Sequence, residues 1–128
     1  MRRVIESENA PKPIGPYSQA ILANGTLYVS GQIALHPATG AMVQSDIAAE
    51  TTQVMENIKA ILSAAGLSIE NIVKSSIFVK DLNNFAAINE VYGKYFKAEP
   101  PARETVEVSK LPKDANVEIS VIAVALEV

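Results

Sequence analysis

The chain has 128 residues, 48% of them hydrophobic, enough for one compact domain with a sizeable core and too apolar for disorder. Its formal net charge of −3 argues against the basic face that phosphate-backbone binding needs, so nucleic acid is not an expected partner. With no cysteine there is no disulfide framework, thiolate metal site or cysteine nucleophile; no apolar run nears the ~18 residues of a membrane span; and the N-terminus lacks a signal peptide's apolar core, so a cytoplasmic protein is expected.

Residues 1–6 suit a short edge strand. Asn9 to Pro16 holds three prolines and a glycine and reads as a structured loop. Tyr17 to Ala23 reads as a strand. Asn24-Gly25 is a strong hairpin signal, because both residues tolerate positive φ. Leu27 to Ser30 is the return strand, ended by Ser30-Gly31-Gln32, where Gly31 lets another group approach the backbone. A turn at 36–40 precedes a helix over Asp46–Ala65, whose apolar stripe is Ile47, Val54, Ile58, Ile61, Leu62 and Ala65, with Ser45 or Asp46 as cap and Gly66 beyond its end.

Ile69 to Lys80 alternates as a strand, with Val73, Ser75, Ile77 and Val79 on one face and Ile72, Lys74, Ser76 and Phe78 on the other. A second helix, capped by Asn83 or Asn84, is predicted to reach about Lys97, burying Phe85, Ile88, Tyr92, Tyr95 and Phe96 with Val91 beside them. Arg103 to Val108 is the next strand, 111–116 a turn, and Val117 to Leu126 the last strand. Strands, helix, strand, helix, strands make a single α+β domain spanning residues 1–128, with a mixed sheet and both helices on one face. The last strand is apolar on both faces beyond Ser120. Two helices cover only one face, so copies of the chain are expected to pack sheet against sheet.

The single histidine, His36, sits in a Pro/Gly turn with no partner at ligand spacing, which leaves no metal site and no Ser-His pair away from that turn. Pro100-Pro101 stiffens the approach to Arg103. A guanidinium at a strand entrance suits the carboxylate of a small acid, through two parallel hydrogen bonds; a surface ion pair is the other reading. Tyr17, Ser30, Gly31 and Asn89 lie near strand ends or one position off a buried stripe. Arg103 and Thr105 share one strand face, and Glu118 and Ser120 share another.

Several stretches, in order along the chain, resemble the Rid (YjgF/YER057c/UK114) family: Gly15-Pro16-Tyr17-Ser18-Gln19, Tyr28-Val29-Ser30-Gly31-Gln32-Ile33, Val79-Lys80-Asp81-Leu82, Pro101-Ala102-Arg103, Val106-Glu107-Val108, Leu111-Pro112-Lys113-Asp114 and Val117-Glu118-Ile119. The resemblance implies a chorismate-mutase-like α+β fold with a six-stranded mixed sheet. It also implies a homotrimer whose sheets form a central barrel, with clefts between subunits. It further implies cofactor-free hydrolysis of reactive 2-imino or enamine acids, such as 2-iminopropanoate and 2-iminobutanoate, to 2-oxo acids and ammonia. Older labels for relatives are endoribonuclease and translation inhibitor; a trimer that binds small carboxylates without turnover is the alternative reading.

By the same resemblance, Arg103 pairs with the substrate carboxylate, and Tyr17, Ser30, Gly31 and Asn89 line the cleft. Thr105 stands where many members have a small residue or cysteine. Two departures follow: Glu104 replaces a usual serine, and Ser120 stands where active deaminases carry a glutamate two residues after the one matching Glu118. Glu118 or Glu104 would have to compensate, and alternation puts Glu104 on the face opposite Arg103.

Overall fold

The computed structural model describes residues 2–125. Six strands form one mixed sheet in the order β1-β2-β3-β6-β4-β5: β1 Arg2–Ile5, β2 Ala20–Ala23, β3 Thr26–Gln32, β4 Ile72–Val79, β5 Ala102–Glu107 and β6 Val117–Val124. All neighbouring pairs are antiparallel except β4 with β5. The β2–β3 hairpin turns on Asn24 and Gly25, with φ of 50° and 78°. Two helices, α1 (Ile47–Ala64) and α2 (Phe85–Gly93), pack on one face.

Helix α1 starts where the Asp46 carboxylate accepts the Ala49 N–H at 2.7 Å, and it ends before Gly66, whose φ of 76° suits glycine. Its buried residues Val54, Met55, Ile58, Ile61 and Leu62 meet Leu27, Ile77, Val79, Val117, Ile119 and Val121 from the sheet. This is the core. Strand β6 alternates as expected: Val117, Ile119, Val121 and Ala123 are buried under the helices, and Glu118, Ser120, Ile122 and Val124 face away. On the open face, Val4, Tyr28 and Val106 are each between 41% and 51% exposed in a single chain. Leu126 lies outside the described residues.

Several expectations are corrected. Strand β2 begins at Ala20, because residues 17–19 belong to the loop and the Gln19 side chain bonds Ser7, Ala10 and Pro11. Strand β4 begins at Ile72 after a 3₁₀ turn over Ile69–Asn71. A bulge between Ile72 and Lys74 then buries Ile72 and exposes Val73, the reverse of simple alternation. Helix α2 ends at Gly93, not Lys97. Glycine is a weak helix former, and Lys94, Tyr95 and Phe96 close tighter bonds to the third residue back. Asn84 stands at the N-cap position of α2 as expected, but its side chain makes no capping bond; instead the Asp81 carboxylate accepts the Asn83 N–H at 2.9 Å in the 3₁₀ turn Leu82–Asn84 that leads into the helix.

Candidate functional site

The sheet carries two separate groups of the expected residues. The first lies between β5 and α2. Ser75 of β4, opposite Arg103, is buried under the helices, so Arg103 and Thr105 project onto the helix face. Phe85, Asn89 and Tyr92 recur at positions four and three apart on α2 and so line one side of it. Arg103 donates from Nη1 to Asn89 Oδ1 at 2.7 Å, and its guanidinium carbon lies 5.2 Å from the Tyr92 ring centre and 5.6 Å from that of Phe85. Tyr92 is fixed in turn, donating its hydroxyl to Ser75 Oγ at 2.8 Å; burial raises its pKa, partly offset by Ser75 and by the charge of Arg103.

Among the described residues no carboxylate pairs with Arg103. A neutral amide and two aromatic rings orient the guanidinium without neutralising it. Its remaining N–H groups stay available for an anion. Beside it, the Thr105 hydroxyl is buried and has no hydrogen-bond partner. Tyr92, 5% exposed, belongs to the core as the helical spacing predicts, but Phe85, predicted to be buried with it, does not. Phe85 is in fact 38% exposed, and the signal that could have placed it here is its spacing from Asn89 and Tyr92.

The second group lies on the opposite face. A bulge between Val29 and Gln32 of β3 sets Gly31 against Glu118 of β6. Glu118 lines a cleft of about 150 Å³ with Ile14, Tyr17, Gln19, Gly31 and Pro112. Burial alone pushes the Glu118 carboxyl above its ordinary range. Tyr17 accepts the Ile14 N–H at 3.4 Å, which braces the proline-rich loop internally, and Ser30 of β3 donates its hydroxyl to the Ser18 carbonyl at 2.6 Å, which holds the loop against this end of the sheet. The loop wall and Pro112 were not foreseen; only their density of prolines marked them as stiff.

Ser120 is not in this cleft. It faces Ser76 across the open face, and Ser76 in turn donates to Glu104. Glu104 pairs with Lys74 at 3.1 Å, and Ser76 and Lys74 hold its pKa below the ordinary value. Glu104 therefore sits on the face opposite Arg103, as alternation requires. His36 uses Nδ1 to accept the Ala38 N–H at 3.1 Å, a turn role.

Gly31 is needed for its size. A Cβ there would stand 2.5 Å from Glu118 Oε2 and 2.8 Å from its Cδ. The obstructing atoms end a flexible side chain, so the fold survives Gly31→Ala while the carboxylate swings toward water. The expected result, read by carbon-13 NMR titration of the carboxyl groups, is a Glu118 pKa that falls toward the ordinary glutamate value of about 4.3. An unchanged titration would mean that the glycine does not set this carboxylate's place.

The Arg103 and Glu118 groups cannot meet on one ligand within a chain. They project from opposite faces, and β5 and β6, the strands that carry them, stand two strand spacings apart, about 10 Å.

The family model described as endoribonuclease L-PSP matches residues 7–125. The chain is 56% identical to the RutC family protein PH0854 of Pyrococcus horikoshii, over 96% of this chain and 98% of that one. It is 44% identical to the human 2-iminobutanoate/2-iminopropanoate deaminase, over 97% and 90%. It superposes on the crystal structure of Escherichia coli TdcF with bound serine with a TM-score of 0.93, at 43% identity, covering 97% and 99% of the two chains. By fold, family model and whole-length similarity, the chain belongs to the endoribonuclease L-PSP family, the group of the RutC and Rid proteins that its motifs resemble.

Proposed function

We propose that this protein hydrolyses small 2-imino or enamine acids, such as 2-iminopropanoate and 2-iminobutanoate, to 2-oxo acids and ammonia, in clefts shared between copies of the chain in a homotrimer. The observation that carries this reading is Arg103: a cation held by Asn89, Phe85 and Tyr92 with no carboxylate partner among the described residues. A small anionic acid fits it. The human relative's name supplies the reaction class, and the serine bound to TdcF supplies the size and the carboxylate of the ligand.

The carboxylate of the imino acid binds the guanidinium in parallel hydrogen bonds. Glu118, from a neighbouring copy, then takes a proton from water as the oxygen bonds to C2 and the C=N electron pair moves to nitrogen, and returns that proton to the nitrogen. It next takes the proton of the new hydroxyl as the carbonyl forms, and gives it to the nitrogen as the carbon–nitrogen bond breaks and ammonia leaves. The balance is one imine and one water in, one ketone and one ammonia out. A carboxyl raised by burial lies closer to neutrality and serves in both directions. Glu118 takes this role in preference to Ser120, whose hydroxyl is a poor base and lies outside the cleft. The apolar open face, with Val4, Tyr28 and Val106 exposed, supports burial against other copies.

The test is direct. 2-Iminopropanoate is generated in solution and trapped with semicarbazide, and this protein is expected to slow semicarbazone formation by removing the imine first. Trapping at the same rate with and without the protein would overturn the reading.

A further inference from the structure

Among the described residues Glu50 is the only charged side chain in the core, 1% exposed, and no cation pairs with it. Its place in the first turn of α1 lets the helix dipole compensate part of the charge. Its hydrogen bonds go to a single residue: Oε2 accepts the Asn116 backbone N–H at 2.8 Å and Oε1 accepts Asn116 Nδ2 at 2.8 Å. Burying a carboxylate for two bonds is expensive, and a leucine or methionine would fill such a space without that cost. The packing of α1 does not explain the choice.

The position of Asn116 does. It joins the 111–116 turn to β6, two residues before Glu118, and its carbonyl accepts the Lys80 N–H at 3.1 Å. The turn is strained: Lys113 and Asp114 both have φ of 55°, a left-handed conformation unfavourable for a residue with a side chain. Other bonds hold it down, from Gln44 to the Asp114 carbonyl at 3.1 Å and from the Lys80 ammonium to the Asp114 carboxylate. The same turn delivers Pro112 to the cleft that Glu118 lines.

We propose that Glu50 and Asn116 form a positioning clamp, which fixes the entrance of β6 and so sets how Glu118 and Pro112 project into the cleft. The clamp acts through Asn116 and touches no substrate. Its kinetic consequence rests on the reading of Glu118 as the proton-transfer group.

Glu50→Leu fills the space and removes both acceptors, so both arms of the clamp are lost. The expected result is a fall in kcat of about tenfold with KM within about twofold, since a small misplacement of a reacting group is felt in rate. The Glu118 carboxyl, followed by carbon-13 NMR, moves toward its ordinary titration. Glu50→Gln is the conservative variant: its amide oxygen accepts the Asn116 backbone N–H and its amide N–H reaches the Asn116 side-chain oxygen once that amide turns over, so it is expected to recover kcat and titration together. A lower melting temperature for Glu50→Leu with unchanged kcat and unchanged Glu118 titration would overturn the clamp, as would a Glu50→Gln protein that recovers stability alone. If Glu50→Leu does not fold, Asn116→Ala removes only the side-chain arm and is judged by the same Glu118 titration. A wild type whose Glu118 responds to the clamp but which hydrolyses no imine would refute the functional reading and leave the clamp standing.

Discussion

Replacing Arg103 with alanine is expected to lower kcat/KM for 2-iminopropanoate by about 10²–10⁴-fold, because each of the two parallel hydrogen bonds to a charged group is worth about 1.5–3 kcal/mol and a tenfold change in rate about 1.4 kcal/mol. The effect falls mainly on KM if the carboxylate is bound equally in ground and transition states. Arg103→Lys keeps the charge but loses the planar fork and the stacking against Phe85 and Tyr92, so it recovers only part of the loss. The fold tolerates either change. Arg103 is half-buried on an edge strand, and its one protein hydrogen bond ends on a partly solvated Asn89. Melting curves check that. A variant with unaltered kcat/KM and an unaltered fold would remove the carboxylate clamp, and with it the strongest support for an acid substrate.

The environment of Arg103 also marks how much a sequence reveals. The α+β order, both faces of β6, the caps of α1 and the Asn24-Gly25 hairpin follow from alternation, helical spacing and turn chemistry, and all were legible. The missed boundaries share one cause. Side chains or bulges there do work that periodicity does not encode: Gln19 ends the loop before β2, the Ile72–Lys74 bulge reverses Val73, and Gly93 shortens α2. For the site, residue types were legible and grouping was not. Arg103 and Asn89 sit 14 residues apart in the chain and meet at 2.7 Å, through the parallel pairing of β4 with β5 and the packing of α2. The bulge that seats Gly31 against Glu118 leaves no periodic trace, so Glu118 and Ser120 looked equivalent on one strand face. The cleft separates them: only Glu118 lines it.

That separation makes Glu118→Gln the sharper experiment. An amide keeps the shape and cannot carry the proton, so kcat is expected to fall by about 10²–10⁴-fold, the usual contribution of a positioned acid–base group. The pH dependence has a definite sign. Burial raises the Glu118 pKa, so activity that needs the ionised base rises with pH through an ionisation above the ordinary glutamate value of about 4.3, and Glu118→Gln erases that limb. Stability runs the other way. A raised folded-state pKa contributes fully below the unfolded value and is lost as pH climbs through the folded one, so Glu118→Gln should flatten the decline in stability over that window. A further outcome separates a site shared between copies from one contained in a single chain. Arg103→Ala and Glu118→Gln proteins, each inactive, are unfolded together, mixed equally and reassembled. If one copy supplies the guanidinium and its neighbour the carboxylate, roughly a quarter of the clefts in a symmetric oligomer regain both groups, and activity returns to about that fraction of wild type. A mixture as inactive as its components would place both groups' work within one chain, where opposite sheet faces keep them from a common ligand, and the shared-cleft reading would fall.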